Sequence, residues 1–110
     1  MNRAFAGAIL AGCALAPGPA LAQSKYHVHT EWRELKVGID VCKQKAETAL
    51  ETSSFVVEGR NLLQSRYGRR ANFVAAIRCV PEKEVVFFLI SGPDWEKANT
   101  YFDQVLANFK

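Results

Sequence analysis

The segment Glu84–Ser91, EVVFFLIS, is the most apolar stretch in the chain after its first 22 residues, and it limits the folds open to the rest. On a strand, Val85, Phe87 and Leu89 point to one face of a sheet, and Val86, Phe88 and Ile90 point to the other. A strand apolar on both faces belongs inside a sheet, with helices over one face. The other face then needs its own cover: the N-terminal arm, a homodimer mate or a bound ligand. Tyr26, Val28 and Trp32 make the arm the nearest source, with self-association next.

The remaining elements follow from changes of period. Lys25–Arg33, KYHVHTEWR, alternates, with Tyr26, Val28, Thr30 and Trp32 on one side and His27, His29, Glu31 and Arg33 on the other. Either a half-buried strand or an ordered extended arm produces that alternation. From Ile39 the spacing becomes helical: Ile39, Cys42, Ala46, Ala49 and Leu50 form one stripe, and Thr52-Ser53-Ser54 ends it. Phe55–Gly59 reads as a short strand with a bend at Gly59, and Leu62–Tyr67 continues or re-forms it, with a basic hairpin tip around Gly68. Asn72–Val80 alternates again, and Pro81-Glu82-Lys83 turns the chain into the apolar strand. After Gly92-Pro93-Asp94, the residues Trp95, Ala98, Tyr101, Phe102, Val105, Leu106 and Phe109 recur at helical spacing, with Asp94 or Ser91 as N-cap. The order (β)-α-β-β-β-α predicts an α+β fold, a two-layer sandwich of a small, mostly antiparallel sheet with two helices on one face.

Residues 1–22 have the three parts of a cleaved secretory signal: Arg3, an apolar run from Ala4 to Ala16, and Ala20-Leu21-Ala22 before Gln23. We therefore expect a single domain over residues 23–110, periplasmic or secreted. The alternative is a lipoprotein anchored at Cys13, because Leu10-Ala11-Gly12-Cys13 has the form of a lipoprotein box. No later segment is long and apolar enough to span a bilayer as a helix. The whole chain carries a formal charge of +3, interspersed with acidic residues, too weak a balance to imply nucleic acid as partner.

Without the leader, two cysteines remain, Cys42 on the helical stripe and Cys79 at the end of an alternating strand. In an oxidising compartment such a pair is expected to form a disulfide. Two buried free thiols are the alternative, and a redox-active pair lacks the Cys-x-x-Cys spacing. Cys42-Lys43-x-Lys45-Ala46-x-x-Ala49-Leu50, Ala75-x-Ile77-x-Cys79 and Val86-Phe87-Phe88-x-x-Ser91-Gly92-Pro93 together resemble a family of small exported bacterial α/β proteins with one cysteine pair. The resemblance spans Ile39–Phe109. It implies a signal peptide, one disulfide and a compact domain, and it brings no assigned chemistry or functional residue.

Three candidate sites emerge. His27, His29 and Glu31 share a strand face and offer zinc or copper two imidazoles and a carboxylate, although an exposed polar face has the same pattern. Arg66, Arg69 and Arg70 around Tyr67 suit an anionic envelope component or an acidic protein partner, with Arg60 as an extension; a solvated basic turn looks the same in sequence. The apolar sheet face is the third. Catalysis has less support: the only histidines are His27 and His29, no carboxylate is placed to orient them, and Gly59, Gly68 and Gly92 are isolated. Glu58 and Glu84 are the one carboxylate pair that neighbouring strands could bring together. The reading is a non-enzymatic binding or protein-interaction domain without a cofactor. A small periplasmic metal-binding protein is the first alternative, and an enzyme with a shallow pocket between helices and sheet is the second.

Overall fold

The computed structural model describes residues 26–110. The leader expected over residues 1–22 and the acylation alternative at Cys13 lie outside the described residues. The chain runs β1 (His27–Glu34), α1 (Ile39–Thr52), β2 (Val56–Glu58), β3 (Ser65–Arg70), β4 (Phe73–Val80), a 3-10 turn (Pro81–Lys83), β5 (Val85–Gly92) and α2 (Trp95–Asn108). The strands form one sheet in the order β1-β5-β4-β3-β2, every neighbouring pair antiparallel. This is the expected α+β sandwich. The N-terminal segment is a true strand, and the middle run re-forms as a second strand rather than continuing, the break beginning at Gly59, whose φ of 67° turns the chain out of extended geometry.

Both helices lie on one face. The core holds Cys42, Ala46, Ala49 and Leu50 of α1, Ala98, Phe102 and Val105 of α2, and the inward set of the sheet: Phe73, Ala75, Ile77, Cys79, Val86, Phe88 and Ile90. A bond between Cys42 and Cys79 joins α1 to β4, as the cysteine accounting predicts. The alternation of β5 is therefore resolved as expected, with Phe88 1% exposed and Phe87 48% exposed.

The end of α1 has a specific cause. Phe55 N–H donates to the Leu50 carbonyl at 2.9 Å and Ser54 N–H to that of Glu51 at 3.0 Å, the paired bonds of a Schellman motif. Ser54 occupies the left-handed position, φ 69°, where glycine is usual, and the motif's apolar contact is supplied by Leu50 and Phe55, both buried. Helix α2 is capped as expected, Asp94 Oδ1 accepting from Lys97 N–H at 2.9 Å.

The hairpin tip is corrected. Gly68 lies within β3, and the turn is Ala71-Asn72, with Ala71 at φ 52°. A side chain at Gly68 would approach Phe55 Cβ to 2.9 Å and the Val56 carbonyl oxygen to 3.0 Å, so this glycine marks a close backbone approach, not a bend. Arg66, Tyr67, Arg69 and Arg70 are consequently strand residues that alternate between the two faces.

Candidate interaction surface

The face opposite the helices is built in rows across the strands. Strand pairing aligns Trp32, Phe87, Arg78 and Ser65 in one row, Thr30, Leu89, Ala76, Tyr67 and Glu58 in the next, and Val28, Ser91, Val74, Arg69 and Val56 in a third. Directly opposed residues share a face and touch through their side chains, so each row is a contiguous strip. Trp32 is 59% exposed, and Val28, Phe87 and Leu89 are exposed beside it. The expectation that the N-terminal arm covers this surface is overturned: β1 pairs edge-on with β5 in the plane of the sheet, so Val28 and Trp32 enlarge the apolar face they were expected to shield.

Arg78 gives this surface its charge. Its guanidinium donates to Gln64 Oε1 at 2.9 Å and Ser65 Oγ at 3.4 Å, and among the described residues it forms no ion pair with a carboxylate. It thus keeps donors for an incoming anion next to an aromatic ring, a pairing suited to a carboxylate attached to an apolar group. Arg69 lies farther along the same face and is paired with Glu58 at 3.3 Å. Arg78 was missed in the sequence because it stands alone in an alternating strand, without the clustering that drew attention to residues 66–70.

The four residues of that cluster do not form one surface. Arg66 is 6% exposed on the helix side, its Nε donating to Glu47 Oε2 at 2.6 Å and its Nη1 to the carbonyls of Ser65 and Leu62 at 2.8 and 2.9 Å. That hydrogen bond, together with the nearby Arg60 charge and despite partial burial, holds the Glu47 carboxyl below its ordinary range. Arg70 also turns inward, donating to the Ser53 carbonyl and Gln104 Oε1 and lying 3.8 Å from the Tyr101 ring centre. Arg60 pairs with Glu47 and Glu51 of α1. Tyr67 and Arg69 alone reach the open face. Most of the basic cluster fastens the sheet to the helices.

His27, His29 and Glu31 share the helix-side face of β1, as their spacing implies, but the three do not converge. Among the described residues no group of three His, Cys, Asp or Glu side chains is close enough to hold a metal ion. His29 packs against Trp95 with ring centres 4.4 Å apart, its Nε2 enclosed without a hydrogen-bond partner, and Glu31 lies 3.7 Å from Arg33. Arg33 is a second residue the sequence did not single out. It donates to the carbonyls of Leu106 and Phe109 at 2.9 and 3.3 Å, meeting the open carbonyls at the end of α2 and fastening β1 beneath that helix.

A cleft of about 270 Å³ lies between α1 and the end of α2, lined by Val41, Gln44, Lys45, Thr48, Asn108 and Lys110. These residues supply neither a carboxylate nor an imidazole to act as general base. Glu58 and Glu84 are not neighbours, since Glu58 is on β2 opposite Tyr67 and Glu84 precedes β5 at the far side of β4. No protein-family model matches the chain, and no curated protein matches it.

Proposed function

We propose that this chain is an exported, non-enzymatic binding domain that holds an acidic, partly apolar segment of a protein partner on the open face of its sheet. The observation that carries the reading is the row Trp32–Phe87–Arg78, where two exposed aromatic side chains adjoin a guanidinium free of carboxylates among the described residues. A surface of this composition, apolar and aromatic with an Arg beside it, resembles the centre of protein–protein interfaces. Export is supported by the signal-like residues 1–22 and by the Cys42–Cys79 bond, which persists in an oxidising compartment. Among the described residues no helix is long and apolar enough to cross a membrane.

The test is site-specific photocrosslinking in the producing cell, followed by fractionation of the envelope. A photoreactive side chain at position 87 should yield a discrete adduct in the periplasmic fraction, lost when Arg78 is changed to Glu. The same side chain at Asn99, exposed on α2, should not. Equal adducts at both positions, or none at 87, would overturn the reading. Native mass spectrometry of the purified protein tests the metal-binding alternative: a stoichiometric zinc or copper mass that disappears in the His27→Ala/His29→Ala variant would replace the proposal.

A further inference from the structure

The two edges of the sheet are managed differently. At one edge β2 is three residues long and leads directly into the bend at Gly59. At the other, β1 runs for eight residues in unbroken register with β5, without proline, glycine, lysine or bulge, its charges being Glu31 and Arg33 on the helix side and Glu34 at its end. Leu35 N–H donates to the Glu84 carbonyl at 2.9 Å, which fixes the phase of the ladder. Antiparallel partners bond at alternate residues, so His27, His29, Glu31 and Arg33 bond to β5, while Val28, Thr30, Trp32 and Glu34 direct their N–H and C=O groups to the free edge.

We propose that this edge pairs with β1 of a second copy, antiparallel across a two-fold axis at Thr30, joining two five-stranded sheets into one continuous sheet. The side chains select both the partner and the register. Centred on Thr30, Val28 lies opposite the partner's Trp32 on the open face, which brings the two exposed apolar residues of the strand into cross-strand contact. On the helix side His29, whose ring packs against Trp95, lies opposite the partner's Glu31, so no like charges meet there. Centring on Glu31 would set two glutamates against each other, and centring on His29 would shorten the overlap and separate Trp32 from Val28. Arg33, the other charge on that side, is already engaged by the end of α2 and lies 3.7 Å from Glu31 of its own strand. The proposal rests on the strand arrangement and is independent of what the open face binds, though it would make that face continuous between the two copies.

Thr30→Pro is the discriminating variant, because the lost N–H serves only the free edge. In sedimentation equilibrium at micromolar concentrations, the protein recovered from the producing cell should be a dimer. Thr30→Pro should weaken association by at least about tenfold, from the two symmetric bonds lost, with unchanged circular dichroism. A monomeric parent at about 100 µM, well above the range of stable dimers, or a Thr30→Pro variant that stays dimeric, would overturn the proposal. If Thr30→Pro does not fold, variants with one added cysteine beside the Cys42–Cys79 bond decide the matter under oxidising conditions, with the parent chain run alongside to reveal any dimer through its own cysteines. Thr30→Cys should crosslink, because hydrogen-bonded partners sit about 5.5 Å apart at Cα, within disulfide reach. Val28→Cys should not, its two copies being about 13 Å apart along the strands. Crosslinking at 28 and not at 30, or at neither, refutes the register.

Discussion

Strand β5 has two faces of nearly equal hydrophobicity and very different surroundings. Val86, Phe88 and Ile90 are buried on the helix side, where α2 packs over β5, whereas Phe87 and Leu89 remain open. The covered face is held by apolar packing, by the Cys42–Cys79 bond and by arginines that reach inward to carbonyls and carboxylates. The open face has little to hold it except the ladder itself. Hydrophobicity alone therefore does not separate core from binding surface in this chain. What separates them is whether another part of the molecule is long enough and suitably placed to cover the residue.

That contrast is sharpest in neighbouring residues. Phe88→Ala should lower unfolding free energy by about 3–5 kcal/mol, while Phe87→Ala should cost less than about 1 kcal/mol, because its ring already meets solvent. Urea titration of both variants checks this, and comparable losses would remove the distinction between the faces. Replacing Cys42 and Cys79 together by Ala should cost about 4 kcal/mol on the loop-entropy estimate, read from the same titration.

Arg66 tests the polar exception on the covered face. Arg66→Ala removes three hydrogen bonds and leaves the part-buried Glu47 with Arg60 alone, and a loss of about 1.5–3 kcal/mol is expected, the range for hydrogen bonds to charged groups. Conversely, a loss below about 1 kcal/mol would mark the pair as an ordinary surface bridge. Glu47 gives the same test through pH. Its folded pKa is depressed, so its contribution is fully present above the unfolded carboxylate value of about 4.3 and is lost as pH falls through the lower folded value. Glu47→Gln should be less stable than the parent at neutral pH, with the two curves converging in acid. Parallel curves from pH 7 to pH 3 would show that the ion pair contributes nothing. The smallest expected effect is a gain: Ser54→Gly relieves the left-handed position that ends α1, by about 0.5–1 kcal/mol, measured as a raised urea midpoint.

The elements whose side chains repeat with a clear period were legible in the sequence. Those of α1, β4, β5 and α2 were, and so was the bond between Cys42 and Cys79, whereas the alternation of β1 fitted a strand and an extended arm equally. The middle run was legible only in part: Gly59 marked its bend, but a three-residue strand has too few positions to establish alternation, so whether the strand continued or re-formed stayed open, and Gly68 has the composition of a turn while serving as a close contact. The basic cluster misled for a related reason: adjacent strand residues face opposite ways, so Arg69 and Arg70 are neighbours in sequence and lie on opposite faces of the sheet.

Periodicity and composition by themselves determined that this chain makes two amphipathic helices and a sheet with one doubly apolar strand, since those properties depend on residues a few positions apart. Only the tertiary structure decided that β1 joins β5 in the plane and leaves Trp32 and Phe87 uncovered, and that Arg78 and not Arg66 faces outward beside them. Strand order and side-chain partners are set by contacts between residues distant in sequence, and local spacing carries no record of which edge a strand will join.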